Sequence, residues 1–558
     1  MRIFLRFVVL SCLVCLSATP ILGAEKESVD RIVAAGREQS QVMDHLDMLT
    51  NRIGPRLTSS DNLQTACEWA RDRFKSFGIE NARLEQWGEF PIGFNRGPWS
   101  GRMVEPVQKA LTFGTNSWTA GTKGVVRGKA VLAPENEEGL AKIKDLLPGA
   151  WVLLPAGGSG RAPGAGGEFR KALDAAYETA KVAGFVRSTR GDLILTAGNF
   201  KISWDKLPTV PSINLLKVQF DELAGLLKEG KPVELEFDIR NYFKKGPIPL
   251  YNVIADIPGT EFPDEYVIVG GHIDSWDGAT GATDNGTGCA TTLEAARVLM
   301  KSGIKPRRTI RFMLWSGEEQ GLLGSRAYVK AHPELTKKIS AVLVHDGGTN
   351  YLSGIGVTKA MRKDIDEVFS SVLTLDEKMP FAIREVSGLR GGGSDHASFL
   401  SAGVPGFFWG QAGKANYTHT HHTQYDTYDT AIADYQRHSS VVTALGAHGI
   451  ANLDHLLSRD GMISAGGTPG NRRLLGVQLD ELTIVEVVDG GVAAKAGIRA
   501  GDVLVKVGDK TVSSREEFSA AIQAGEPSKK IVVKRDGKEI ELPATFPANP
   551  PAPAPAKP

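Results

Sequence analysis

Tyr266-Val-Ile-Val-Gly-Gly-His272-Ile-Asp274-Ser-Trp276 is a run of β-branched residues that stops at two glycines and then presents an imidazole and a carboxylate. A short apolar run of this kind is a buried strand, and the alternation of strand side chains points His272 and Asp274 the same way. Asp274 is then placed to take the free ring N–H of His272 or to steer it, which selects the nitrogen left for a metal. The pattern recurs downstream. Thr309-Ile-Arg-Phe-Met-Leu-Trp315 leads into Ser-Gly-Glu318-Glu319-Gln-Gly321, and Ile339-Ser-Ala-Val-Leu-Val-His-Asp346 runs into Gly347-Gly348. Each sets an acid or imidazole beside glycine at the end of a strand. Together they predict an α/β fold with a mainly parallel central sheet flanked by helices, in which ligands gather outside the carboxyl ends of the strands.

Two further stretches complete the set. Gly281-Ala-Thr-Asp284-Asn-Gly-Thr-Gly288 is a tight turn opening a helical stretch from Cys289 to Met300, and Tyr417-Thr-His-Thr-His-His422-Thr-Gln-Tyr-Asp-Thr427 is a polar loop. His272, Asp284, Glu318, Glu319, Asp346 and His422 form the inventory that a pair of bridged zinc ions needs, because imidazoles and carboxylates are what zinc accepts when thiolates are absent. Asp284 is positioned to reach both ions. Adjacent residues at a strand end face different directions, so of Glu318 and Glu319 one can bind metal while the other faces substrate. Taken singly, each fragment has a structural reading: a satisfied polar pair at His272, a turn at Asp284, a solvated loop at Glu318-Glu319. Only the two-metal reading explains why three of the fragments end strands of one β/α pattern. A serine hydrolase built on Ser394, Asp395 and His396 is poor, since three consecutive residues do not form a triad.

These motifs resemble the co-catalytic zinc exopeptidases, a family that includes bacterial leucyl aminopeptidases and glutamate carboxypeptidases. Gly270-Gly-His-Ile-Asp-Ser-Trp-Asp277 and Leu314-Trp-Ser-Gly-Glu-Glu-Gln-Gly321 are most similar to the plasma glutamate carboxypeptidase, or carboxypeptidase Q, branch. The resemblance implies two Zn2+ ions: one held by His272, Asp346 and the bridging Asp284, the other by Asp284, Glu319 and His422. It makes Glu318 the general base and puts Asp274 behind His272. His422 is preferred to His419 and His421 because His-Thr-x-x-Asp-Thr matches the family's closing motif. Gly393-Ser-Asp-His-Ala-Ser-Phe399 matches the stretch before its final strand. The expected activity is hydrolysis of terminal bonds of short peptides, leaning towards a carboxypeptidase or dipeptidase, with an aminopeptidase on the same ligands as the alternative. Tyr417 and Tyr425, which flank His422, are candidates for oxyanion support, and family members often form homodimers.

With 558 residues, several domains are expected. Met1 to Ala24 reads as a secretory signal: Arg2 and Arg6, an apolar stretch from Phe7 to Leu16, then small residues. The stretch falls short of the roughly 20 residues of a membrane span. The chain is therefore expected to be secreted or periplasmic. Cleavage of the signal takes Arg2 and Arg6 from 65 basic residues, leaving 63 against 64 acidic ones and a net charge of −1. With no basic field, no nucleic-acid partner is expected. Cys67 and Cys289 would remain, either bonded or as two buried thiols. The expected organisation is a signal over 1–24, a catalytic domain split between 25–104 and 245–458, an insert over 105–244, a further module over 459–546 and a Pro/Ala-rich tail over 547–558. The insert, with short strands and Gly-rich turns, resembles a β-rich protease-associated domain that would overhang the cleft.

Beyond a hinge at Gly466-Gly-Thr-Pro-Gly470, Arg473-Leu-Leu-Gly-Val-Gln478, Thr483-Ile-Val-Glu-Val-Val488 and Gly501-Asp-Val-Leu-Val-Lys-Val507 resemble a PDZ domain, a small β-barrel-like fold. Such a module takes a peptide C-terminus as an added strand, its carboxylate held by backbone N–H groups near Leu475-Gly476-Val477. That leaves a second function class: a retired peptidase acting only through its PDZ domain. Glu318 argues against it, because an inactive scaffold has no need of a spare acid beside a complete ligand set.

Overall fold

The computed structural model describes residues 19–154, 167–462, 473, 475–480, 482–487, 491–513, 515–524 and 526–546. The leader through residue 18, the Gly-rich turns at 155–166, the hinge at 466–470 and the tail from 547 lie outside the described residues. The chain divides into two compact units, Met1–Val386 with Gly391–Arg459, and Ser387–Arg390 with Asp460–Pro558.

The first unit is organised by one mixed sheet. One half of it uses β1 (Arg83–Glu105), β2 (Glu234–Ile257), β3 (Phe262–His272), β4 (Arg308–Trp315), β5 (Ile339–Val344) and β6 (Gly406–Phe408). The order is β6-β5-β3-β4-β2. Strands β3, β4, β5 and β6 are parallel, and β2 runs antiparallel to β4. Every residue of β4 and β5 is buried, as continuous apolar runs require when helices cover both faces. Since β4 and β5 lie on opposite sides of β3, the chain changes direction across the sheet there. A crevice therefore opens at the carboxyl end of β3, where His272 sits.

The helix expected from Cys289 to Met300 spans Thr287–Lys301 and is buried from Thr287 through Leu299, packed against Ala433–Asn452 and Val42–Asp47. Gly288 is required at its start: a Cβ there would lie 2.2 Å from the His345 carbonyl oxygen. Ahead of Gly54-Pro55, Val42–Asp47 is helical and is followed by a π-helical turn, Met48–Ile53. The next helix is Asp61–Ser76, whose start is capped by the Ser60 hydroxyl accepting from the Leu63 N–H. β1 runs as far as Glu105 because β2 offers a partner along its length, with four register shifts: Arg83 pairs with Ile254 and Glu105 with Glu234.

That long ribbon carries residues 106–233. Val126–Leu132, Trp151–Leu154, Gly184–Ser188 and Ser212–Leu215 form a parallel run that joins β2 at Val126 and Phe237 and ends on an antiparallel Phe113–Thr115. Helices Glu137–Ile143, Gly167–Ala180 and Lys217–Lys228 accompany these strands. Trp151, Phe237, Leu153, Val186, Ile213 and Leu215 form its own core.

The second unit is a small sheet in which Val477–Asp480 lies at an edge, pairing with Thr483–Val487. Its core gathers Ile484, Leu504, Ile531, Val533 and Phe546, and Asp502 and Arg535 form a bidentate ion pair.

Cys67 and Cys289 are both free and buried, so the described residues contain no disulfide; the Cys289 thiol donates to the His272 carbonyl at 2.9 Å. Among the described residues no helix is long and apolar enough to cross a membrane. The helix Thr19–Glu38 runs through Ala24, the expected cleavage point.

Two histidines on Ala433–Asn452, His438 and His448, are buried, and burial pushes each ring from 6.5 down to about 4. The unfolded chain therefore binds protons that the folded chain refuses between pH 6.5 and 4, so these groups take stability away as the pH falls through that window. His438→Gln and His448→Gln are expected to flatten the loss by on the order of 1–2 kcal/mol each between those limits, measured by urea unfolding at a series of pH values.

Candidate metal centre

His272 ends β3, Glu318 and Glu319 follow β4, and Asp346 follows β5, so three strand ends deliver four side chains to one crevice. The loop after β3 brings Asp284, and the loop before Ala433–Asn452 brings His422. His272 Nε2 lies 3.2 Å from Asp284 Oδ1 and 3.1 Å from Asp346 Oδ1. His422 Nε2 lies 3.2 Å from Asp284 Oδ2 and 3.0 Å from Glu319 Oε2. Asp284 thus presents one oxygen to each imidazole. All the sequence-predicted ligand residues meet here.

The histidine cluster is sorted by geometry. His421 Nε2 is 3.7 Å from Asp284 Oδ2, its ring stacked on His422 with centroids 3.8 Å apart. His419 stacks instead on Tyr425 at 4.3 Å. Of the three, only His422 approaches both Asp284 and Glu319. Its φ of +59° is a left-handed backbone that histidine adopts more readily than most residues. Tyr425 is 41% exposed. Tyr417, by contrast, is under the electrostatic influence of Asp284, Asp346 and Glu319: burial first, then those carboxylates, raise its phenol well above the usual value. Gly348 makes room for it, since a Cβ there would lie 2.6 Å from the Tyr417 ring.

Asp274 differs from expectation. The His272 Nδ1 partner is the Asp274 backbone carbonyl at 2.9 Å, whereas its carboxylate is 3.7 Å away. That carboxylate accepts the Thr58 hydroxyl at 2.8 Å and the Glu318 and Glu319 N–H groups at 3.2 and 3.3 Å. The reason is local: the turn after β4 leaves two amides unpaired beside Asp274, and a carboxylate is their strongest acceptor. Asp274 therefore anchors the two glutamates as well as the histidine's neighbourhood.

The electrostatics are severe. Burial pushes the Glu318 carboxyl well above its ordinary value, opposed by His272 and reinforced by Asp346, Asp395 and Glu319. Burial and then Asp284 push Glu319 up to about 8. Asp284 is also penalised by burial, but hydrogen bonds from His272 and His422 more than reverse it and hold it well below the carboxylate range. Burial alone would depress His422; its contacts with Asp284 and Glu319 raise it to about 10. These opposed shifts come from imidazoles and carboxylates crowded together out of water. Buried Glu319 Oε1 finds no hydrogen-bond partner, and Asp284 Oδ2 faces the His422 ring nitrogen at 3.2 Å without well-aligned hydrogen-bond geometry. Beside them, Thr196, Trp276, Ala279, Asp284, Glu319, His422, Thr423 and Asp426 line a cavity of about 10 Å³, room for one atom-sized guest. Two donor clusters fit a cation: His272, Asp284 and Asp346, and Asp284, His421 and His422. Nitrogen and oxygen donors of this kind suit zinc.

Residues without an assigned role in the sequence hold the cluster in place. Arg56 is fully buried and donates to five carbonyls: Ile273 at 2.7 Å, Gly281 at 2.8 Å, Thr280 at 3.0 Å, Leu49 at 3.2 Å and Gly54 at 3.4 Å. It closes both ends of the loop from His272 to Asp284. Asp426 accepts from the Thr283 N–H at 2.5 Å, the Thr283 hydroxyl at 2.9 Å and the Asp284 N–H at 3.3 Å. Its position in His-Thr-x-x-Asp-Thr was the available signal. Asp395 is buried, and burial lifts it to about 7 within reach of Asp346 and Asp274, so it belongs to this acid cluster and not to a serine triad.

Residues 252–445 match the model described as peptidase family M28, and residues 483–535 match that of a PDZ domain. Carboxypeptidase Q from Mus musculus is 27% identical over 449 residues, covering 78% of this chain and 90% of that protein. Carboxypeptidase Q from Homo sapiens is 26% identical over 450 residues, covering 78% and 91%. Among solved structures, a peptidase M28 precursor from Shewanella amazonensis superposes with a TM-score of 0.57 at 24% identity, covering 78% of this chain and 98% of that one, a likeness of fold. The chain accordingly carries a peptidase family M28 domain over residues 252–445 and a PDZ domain over residues 483–535, and is a metallo-exopeptidase.

Proposed function

We propose that this protein is an exported, zinc-dependent exopeptidase that removes terminal residues from short peptides, with carboxypeptidase or dipeptidase specificity. The observation that carries the reading is Asp284, whose two carboxylate oxygens each lie 3.2 Å from a different imidazole. His272, Asp346 and Asp284 would hold one Zn2+, and Asp284, Glu319 and His422 the other. Zinc at such donors supplies a Lewis acid that polarises a carbonyl and brings the pKa of water towards about 7.

The chain's own groups do the rest. Glu318 is fixed by the Asp274 carboxylate through its backbone N–H, so its side chain stays free to take a proton from the attacking water and return it to the leaving amine. Burial, which favours its protonated form, suits the second half of that cycle. Tyr417 is positioned beside Asp284 and Asp346, where its hydroxyl can donate to a developing oxyanion. The leaning to the carboxyl end is supported by likeness to carboxypeptidase Q across 78% of the chain. An N-terminal signal is supported by the apolar run after Arg6. In the second unit, the edge strand Val477–Asp480 and the left-handed Gly476 before it, φ +76°, suit capture of a peptide C-terminus by strand addition.

The purified chain is expected to bind two zinc ions and to lose dipeptide hydrolysis on chelation, regaining it when zinc is returned; chelation-insensitive turnover would remove the reading. Glu318→Gln should retain both ions, by elemental analysis, and lower kcat by about 10²–10⁴. A full-speed Glu318→Gln variant would leave the proton transfer to another group. For direction, an N-blocked dipeptide should be cleaved and a C-blocked one resist. The reverse result would make the protein an aminopeptidase on the same site. A well-folded, zinc-loaded protein inactive on both would favour a binding role through the PDZ domain.

A further inference from the structure

His422 stands apart from the other donors. His272, Glu319 and Asp346 are fixed by strand ends and Asp284 by a turn locked through Arg56 and Asp426, but His422 lies on a loop with 32% of its side chain exposed and a left-handed backbone. What holds this loop comes partly from the insert. The Thr196 N–H donates to the His422 carbonyl at 2.8 Å, and Leu195 and Thr423 form an antiparallel bridge. Gln424 closes the same junction with both ends of its amide: it accepts from the Ile194 N–H at 2.7 Å and donates to the Asp192 carbonyl at 3.0 Å.

The insert is seated here and not merely nearby. The Thr196 hydroxyl fills the space above Gly278, where a Cβ would come within 1.8 Å of it. Ser117 donates to Asp277 at 2.6 Å, and Arg96 on β1 pairs with the same carboxylate at 2.8 Å. Trp118 of the insert meets Trp276 edge-on at 6.4 Å, and Trp276 meets the His422 ring at 6.1 Å. Thr196 also lines the small cavity shared by Asp284, Glu319 and His422. No such contact from the insert reaches His272 or Asp346 among the described hydrogen bonds.

We propose that the insert builds one half of the metal centre: residues 192–196, clamped by Gln424, position His422, so that the donor set Asp284, Glu319 and His422 depends on the insert while the set His272, Asp346 and Asp284 does not. The inference rests on the two-zinc reading above. Gln424 is a positioning residue; it acts through the backbone that carries His422. Removing its amide frees two backbone groups of the insert and loosens the loop, and the left-handed histidine then relaxes.

The test is a zinc titration of the metal-free, full-length chain against a competing chelator, read beside its melting temperature and its hydrolysis of a dipeptide. Gln424→Ala is expected to bind the first zinc with wild-type affinity and the second about tenfold or more weakly, the scale of one to two net hydrogen bonds. Its metal-free melting temperature should stay close to wild type, and kcat at limiting zinc should fall and recover with excess zinc. Gln424→Glu, which keeps the acceptor for Ile194, should fall between the two. Gln219→Ala, which removes a comparable pair of hydrogen bonds to Thr112 and Ala110 inside the insert, should bind both ions normally. Equal weakening of both ions in Gln424→Ala, or none, would overturn the clamp while leaving the two-zinc reading intact. A wild-type chain that binds fewer than two ions would overturn both.

Discussion

Asp284 is shared between two imidazoles, and the architecture of the first unit follows from keeping it there. Bringing Asp284, Glu318, Glu319, Asp346, Asp395 and Asp274 into one buried crevice sets like charges against one another, and each ionised group taken out of water costs several kcal/mol unless it is paired. Two histidines offset part of this. Backbone amides offset more, at Asp274 and Asp426. What remains is a set of nitrogen and oxygen donors of the kind that zinc takes.

Arg56 shows how such a cluster is kept from collapsing or flying apart. Its guanidinium sits behind the acids and touches no carboxylate; all five of its contacts are carbonyl oxygens. It is thus a cation that tightens backbone without neutralising the donors. A direct Arg–Asp pair would have taken Asp284 or Asp274 out of service. Carbonyl contacts leave every carboxylate free to face inward, and the loop between His272 and Asp284 gains rigidity from both ends.

The parallel strands and their donors were legible because β-branched runs followed by glycine and a ligand residue admit few other readings, as at Val267–His272 and Ile339–Asp346. The place of Asp284 between His272 and His422 agrees with a tight Gly-rich turn whose carboxylate can reach two sides. Other features were hidden for physical reasons. Arg56 acts on carbonyls, which every residue carries, so nothing in its partners' identities betrays it. Asp274 was read as a histidine partner because the spacing His-x-Asp suggests it, but its oxygens went to amides of a turn more than 40 residues away. The helices Glu137–Ile143 and Gly167–Ala180 were masked by the Gly-rich turns between them, whose composition favours loops. The choice of His422 over His421 came from the closing motif alone, because the left-handed backbone that carries His422 is not encoded in side-chain chemistry.

The ribbon of β1 and β2 has a consequence for biogenesis. Arg83 must find Ile254 and Glu105 must find Glu234, so the inner edge of the catalytic sheet cannot zip until everything between has left the ribosome. Such long-range pairing carries the entropy of closing a large loop and slows folding. A module that acquires its own core early, as the cluster around Trp151 and Phe237 permits, shortens that loop by holding its two ends side by side. The inserted segment would then serve the nascent chain as an internal chaperone.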